Sequence, residues 1–334
     1  MSLPPSRAAR AMLGAALAAL AFAAAALDAP PKAPSQPVAD TYFGVKVADP
    51  YRNLEDLKSP ATRGWLDAQG AYTAEVLKQI DGRDAIAKRV AELGKASGDA
   101  VDAIRRMPGE RIYYLRRQAG ENQMKLVMRI GLAGAERVLV DPEQMAKQTG
   151  VPHAINYFVP SWDGKTLAYG VSAGGSEDAS LYLMDIATGK PIGTPIPRVH
   201  EGLVHWTPDS RRLSYNQLRA LPPGAADTET YLDSTVYVIA PRERAAAPRA
   251  LFGPLVNTEL KLDRLDVAGV SFAPGSRWMI ARTTDTTSPE GRLYVAPLAQ
   301  LGQAKIAWRQ ISSFADKITE VGLRGDTLYL RTYA

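Results

Sequence analysis

The sequence predicts a mainly β fold: an incomplete β-propeller of four to five four-stranded blades, preceded by a short helical N-terminal segment. Three observations predict it. Beyond Val101 the apolar period changes from 3.6 to 2, as in "RIYYLRR", "KLVMRI", "TLAYGVS", "SLYLMDI", "STVYVIA" and "TLYLRT". A tight turn followed by an apolar strand recurs as "MPGERIYYL", "SWDGKTLAY", "TPDSRRLSY", "APGSRWMIA" and "LRGDTLYLR". Its turn residues Gly109, Gly164, Ser210, Gly275 and Gly325 are spaced by 55, 46, 65 and 50 residues, the length of a propeller blade.

Each unit also carries a second strand of the type "SLYLMDIATGK", "STVYVIAPRE" or "RLYVAPLAQ". The turn opens one strand, that strand pairs with the Leu-Tyr strand, and a polar loop crosses to the next unit, which is the meander of a blade. A β-sandwich of similar strands has no reason to repeat at this length. The only helical turn expected within this half lies near Glu143 to Lys147.

Residues 1–29 read as an export signal. Arg7 and Arg10 precede an apolar run from Ala11 to Leu27 that ends in small residues. The run is short for a membrane span, so no stable span is expected after cleavage, and the expected location is periplasmic or secreted. Pro30 to Asp40 is Pro-rich and aperiodic, so residues 30–41 are expected as an extended linker.

A helical N-terminal segment is expected over residues 42–100. Ser59 stands where a helix cap would, Pro60 fits the first turn, and Trp65, Leu66, Tyr72, Val76, Leu77 and Ile80 recur at helical spacing up to Gly82. A second helix carries Ile86, Val90 and Leu93 on one face, with Gly94 as its expected stop. Residues 101–334 then hold the blades.

The composition narrows the function. With 334 residues, 46% hydrophobic and 22% charged, the chain can bury a substantial core. It contains no Cys, which excludes a disulfide, a thiol nucleophile and a zinc-thiolate site. The net charge of +5 is spread in pairs such as Arg105-Arg106, Arg116-Arg117 and Arg211-Arg212 between apolar strands, so nucleic acid is not an expected partner.

No catalytic residue is expected, and no cofactor or metal. Gly170-Val171-Ser172-Ala173-Gly174 reads G-x-S-x-G, with Asp185 and His200 following in order. A nucleophile elbow needs a strand, a sharp turn and a helix, whereas this motif stands between two strands. The histidines His153, His200 and His205 lack a spacing that would gather three ligands. Glu177-Asp178 and "DTTSPEG" are expected as polar turns between strands.

The stretch "DPYRNLEDLKSPATRGWLDAQGAYTAEVL", Asp49 to Leu77, resembles the N-terminal segment of the prolyl oligopeptidase family of serine peptidases. Asp49, Pro50, Tyr51, Arg52, Leu54, Glu55 and Asp56 match its pattern, with Asn53 in place of the usual Trp. "DGKTLAYGVSAGGSEDASLYLMDIATGK" and "YLDSTVYV" look like blades of that family. The resemblance implies a seven-bladed propeller capping an α/β-hydrolase domain, with the N-terminal segment strapped onto the latter.

From that resemblance the chain is expected to be the substrate-gating portion of an exported serine endopeptidase acting on short proline-containing peptides, and a fragment or truncated product inactive by itself. Its partners would be a short peptide passing through the propeller pore and an α/β-hydrolase domain, missing here or on a separate chain. The alternative is a free-standing, non-catalytic exported propeller that binds a peptide or protein partner.

Overall fold

The structure, a computed structural model, describes residues 29–96, 98–199, 202–243, 247–285 and 287–333. The expected export signal lies outside the described residues up to residue 28. Contacts divide the chain after Ala96 into two units.

The first unit opens with a hairpin of β1 (Val38–Tyr42) and β2 (Val45–Asp49). Phe43 and Gly44 form its two-residue loop, both with positive φ (49° and 81°), the handedness that matches strand twist. Helix α1 (Pro60–Lys78) and helix α2 (Arg83–Ala96) follow. Ser59 occupies the cap position of α1, but its side chain makes no capping bond. Gly94 does not stop α2, which runs two residues further because an isolated helical glycine is tolerated at modest cost.

The "DPYRN" residues fasten this unit together. Arg52 pairs with Asp49 (Nε to Oδ2, 3.1 Å) and with Asp40 on β1. Asn53 Nδ2 donates to the Pro34 carbonyl at 2.9 Å, and Thr62 Oγ1 donates to the Asn53 carbonyl at 3.2 Å. The Pro-rich stretch is extended but tied down. Trp65 Nε1 and Gln69 Nε2 on α1 donate to the Pro31 carbonyl at 3.2 and 2.7 Å. Two donors on one helix face hold a strand that cannot pair through its own prolines.

The second unit is built from successive antiparallel sheets. The first is β3 (Ala100–Met107), β4 (Arg111–Arg117), β5 (Lys125–Ile130) and β6 (Arg137–Val140), in that order. After helix α3 (Pro142–Thr149) comes a sheet of β7 (His153–Pro160), β8 (Thr166–Ala173) and β9 (Ser180–Asp185). Isolated bridges Leu181↔Ile196 and Met184↔Pro191 stand where its fourth strand would pair.

The third sheet holds β10 (Val204–Trp206), β11 (Leu213–Gln217), β12 (Thr235–Ile239) and β13 (Arg249–Phe252). The fourth holds β14 (Val267–Ser271), β15 (Trp278–Thr284), β16 (Gly291–Pro297) and β17 (Arg309–Ser312). A hairpin of β18 (Ile318–Arg324) and β19 (Thr327–Thr332) follows. These are propeller blades: four sheets and a hairpin, against the four to five expected.

The repeat is conformational as well as sequential. Gly109, Gly164, Ser210, Gly275 and Gly325 all have left-handed φ, between 52° and 76°. The third and fourth strands of three sheets also slip register at the same place, at Leu126/Val127, Val236/Tyr237 and Leu293/Tyr294. Such a bulge bends the outer strand and increases twist.

Apolar layers lie between consecutive sheets, because alternate residues of each strand face opposite neighbours. Tyr113, Leu126 and Met128 of the first sheet pack with Phe158 and Leu167 of the second. Leu181 and Ala168 of the second pack with Trp206 and Tyr215 of the third. Val236 and Phe252 of the third pack with Met279 and Tyr294 of the fourth, and Leu293 of the fourth with Ile318 of the hairpin. Fully burying one such side chain is worth roughly 1.5–3 kcal/mol, so these layers dominate the stability.

The turns are also stitched from blade to blade. Arg111 donates to the Trp162 carbonyl (3.2 Å), the Asp163 N–H to Ser210 Oγ (3.0 Å), and the Arg277 N–H to Asp326 Oδ1 (2.8 Å). The other face of the first sheet carries Ile112, Tyr114 and Val127 as a small separate cluster.

Candidate functional site

The G-x-S-x-G motif lies on a strand and the connection after it, for structural reasons. Ser172 sits on β8, buried, paired opposite Ala154. Gly170 is needed because the Tyr157 ring packs against its Cα, and Gly174 because the chain turns there with φ 65°. Asp185 pairs with Thr166, six residues back along β8, and thus about 20 Å from Ser172 at the usual rise per residue. His153 pairs with Ala173, and so points to the opposite sheet face from Ser172. Its Nδ1 lies 2.8 Å from the Val151 carbonyl. His200 lies outside the described residues.

Glu177 and Asp178 lie on the β8–β9 connection and border a cavity of about 610 Å³, with Arg198, Arg219 and Tyr231 across it. In "DTTSPEG", the β15–β16 connection, Asp285 Oδ1 accepts from the Thr287 N–H and hydroxyl, both at 2.7 Å. Among the described residues no group of three or more His, Asp or Glu side chains is placed to hold a metal ion. No helix among them is long and apolar enough to cross a membrane.

Two further cavities open between the first strands of the sheets. One, of about 260 Å³, is lined from β3 by Arg105 and Met107, from β7 by Val159 and Pro160, and from β10 by His205 and Trp206. Trp162 and Phe272 complete its wall. The second, of about 220 Å³, shares His205 and adds Ser271, Arg282 and Val321 from the fourth sheet and the hairpin. His205 therefore stands between the two.

The walls are held rigidly. Trp206 Nε1 donates to the Val159 carbonyl (3.0 Å) and Trp162 Nε1 to the Trp206 carbonyl (3.4 Å), crossing between the second and third sheets. Arg282 donates to the Pro289 and Thr319 carbonyls at 2.9 and 3.1 Å. The Arg105 side chain has no hydrogen bond or ion pair among the described residues; its guanidinium lies over the Phe158 ring, 5.4 Å from the centroid.

The electrostatics follow from this placement. Burial pushes the His205 imidazole down from 6.5 to about 4, and the charge of Arg105 pushes the same way. Partial desolvation by the surrounding walls also lowers Arg105 from its ordinary value, although the residue stays exposed. At neutral pH the cavity thus presents one cation and one neutral imidazole. No acidic side chain lines it.

Arg105 was not expected as a site residue. The signal was hidden because Ala103 takes φ 52° and the β3–β4 register slips between Asp102 and Arg105, which breaks the period-2 pattern in "AVDAIRRM".

A family model described as the prolyl oligopeptidase N-terminal beta-propeller domain matches residues 30–333. The chain belongs to the prolyl oligopeptidase N-terminal β-propeller family. It is 28% identical over 170 residues to the prolyl endopeptidase of Elizabethkingia meningoseptica, covering 51% of this chain and 23% of that protein. The prolyl endopeptidase of Dictyostelium discoideum is 26% identical over 117 residues, 35% of this chain and 14% of its own.

Among solved structures, one from a structural and mechanistic analysis of two prolyl endopeptidases superposes with a TM-score of 0.67 at 23% identity, covering 90% of this chain and 49% of that one. Prolyl oligopeptidase B from Galerina marginata, bound to a 35mer substrate, gives a TM-score of 0.71 at 18% identity, covering 90% and 44%. The matched region is less than a quarter of the curated relatives and less than half of these structures. At such identity the structures speak for the prolyl oligopeptidase propeller as a fold.

Proposed function

We propose that this chain is the substrate-admitting propeller portion of an exported serine endopeptidase acting on short proline-containing peptides. The acyl-transfer residues would be carried by an α/β-hydrolase domain outside these 334 residues. The observation that carries the reading is the family match over residues 30–333, which spans the helical unit and every sheet.

The cavities between the first strands support a passage for an extended chain. Both are small, and the first is walled by hydrogen-bonded indoles, which suits an unfolded peptide and excludes a folded domain. Export rests on Arg7, Arg10 and the apolar run Ala11 to Leu27.

The test is reconstitution. Residues 30–334 would be expressed alone and together with an α/β-hydrolase domain of a prolyl endopeptidase, and hydrolysis of a chromogenic proline peptide measured. The reading expects no turnover by the chain alone, and turnover of a short peptide but not of a folded protein by the pair. Turnover by the chain alone, or equal cleavage of folded proteins, would overturn it.

A second reading has one observation in its favour: each pair of adjacent sheets shares a complete apolar layer. A free-standing exported propeller that binds a peptide without catalysis would melt cooperatively as a soluble monomer. Aggregation of the isolated chain would remove this reading.

A further inference from the structure

Arg105 lines the cavity without a carboxylate partner among the described residues. Arg52, Arg116, Arg219, Arg242, Arg264 and Arg292 all pair with carboxylates. Arg105 has only the face of Phe158, although it stands at a cavity from which apolar walls partly exclude water. The residue stays exposed at the cavity with no anion beside it, so a ligand carboxylate could reach the guanidinium and pair with it through short, charge-assisted bonds.

Across the cavity the neutral His205 ring offers a second polar contact. The rest of the wall is apolar, with Trp162, Trp206 and Phe272 beside Val159, Pro160 and Val204, and Met107 adds an adaptable surface. One cation beside an apolar wall is complementary to a negative charge next to an apolar group. The volume of about 260 Å³ falls just below the roughly 300–1,000 Å³ of drug-sized sites, which suits the end of a peptide.

We propose that the cavity between β3, β7 and β10 binds the C-terminal carboxylate of a short peptide with an apolar last residue, Arg105 holding the carboxylate and the Trp162, Trp206 and Phe272 rings holding the side chain. The identity of the anion as a peptide terminus rests on the peptide-admitting reading above. The consequence is selection by terminus. A peptide with a free carboxylate would lodge in the cavity, and one blocked as the amide would not.

The experiment is calorimetric titration of the purified chain with N-acetyl-alanyl-phenylalanine, as free acid and as amide, at neutral pH and low salt. The free acid should bind roughly tenfold tighter than the amide, equivalent to about 1.4 kcal/mol. The difference should vanish in Arg105→Gln and survive in part in Arg105→Lys. The His205 ring signals in the NMR spectrum should move on binding of the acid.

Equal binding of acid and amide by the unmodified chain would overturn the proposal, whether or not any variant folds. So would discrimination that survives Arg105→Gln, or displacement by acetate and inorganic phosphate at the same concentrations as the peptide. Because the readout is binding, loss of peptidase reconstitution would sink the function proposed above and leave this site standing. Reconstitution without acid preference would do the reverse.

Discussion

A methyl group at Gly170 would lie 2.2 Å from Cε1 of Tyr157, where no carbon can sit. The Tyr157 ring occupies that space, and its hydroxyl donates to the Val199 carbonyl at 2.6 Å. Gly170→Ala should therefore swing the ring out and break that bond, costing about 1–3 kcal/mol. Denaturant unfolding measures it. In a Tyr157→Ala background the same substitution should cost much less, since the two residues share one contact. Equal costs in both backgrounds would refute the mechanism.

Two ion pairs of similar appearance should differ sharply. Asp266 is 1% exposed and its partner Arg292 20%, whereas Arg331 and Glu320 are 67% and 62% exposed. Arg292→Ala would strand a buried carboxylate and should cost about 3–5 kcal/mol. Arg331→Ala should cost less than about 1 kcal/mol. Thermal melts of the two variants, side by side, provide the check.

His205 should make stability depend on mildly acidic pH. Its folded value of about 4 lies below the ordinary 6.5, so between these values the unfolded chain binds the proton more tightly. The contribution of His205 is thus full above about 6.5, falls as the pH drops and levels off below about 4. His205→Gln should flatten the stability profile in that window. Arg105→Gln should raise the His205 midpoint in an NMR titration, because it removes the like charge.

Asp185 should titrate at about 2, held down by the hydrogen bond from Arg242 (2.8 Å) and then by Thr188. A depressed carboxylate contributes above its ordinary 3.8 and loses that contribution as the pH falls toward 2. Arg242→Gln should move the carboxyl resonance midpoint upward. An unchanged midpoint would mean that Thr188 alone sets it.

The second and third strands of the four sheets were legible because they are largely buried and read as Leu-Tyr or Val-Tyr runs. Tyr113, Leu181, Tyr215 and Leu293 are examples. The first strands were not. β10 is three residues long, β14 contains Gly269, and β3 is interrupted by its bulge, so none presents a clean alternation.

The candidate site lies on those first strands, and a site assembled from β3, β7 and β10 has no local sequence signature. Arg105-Arg106 was visible only as a charged pair. Conversely, G-x-S-x-G was a local pattern without the geometry it suggested, because its two glycines answer to a tyrosine ring and a turn. Ser59 likewise had the identity of a cap without the bond.

Each blade rests on the one before it and the one after it, through layers that no third blade enters. Cooperativity in such an arrangement passes link by link, so opening can begin at an end and stall at any boundary. The β18–β19 hairpin, whose second strand is largely solvent-facing, should lose its amide protection first, and the doubly flanked second, third and fourth sheets later. A destabilised interface would then act as a hinge, parting the blades on either side while each keeps its own hydrogen-bonded ladder.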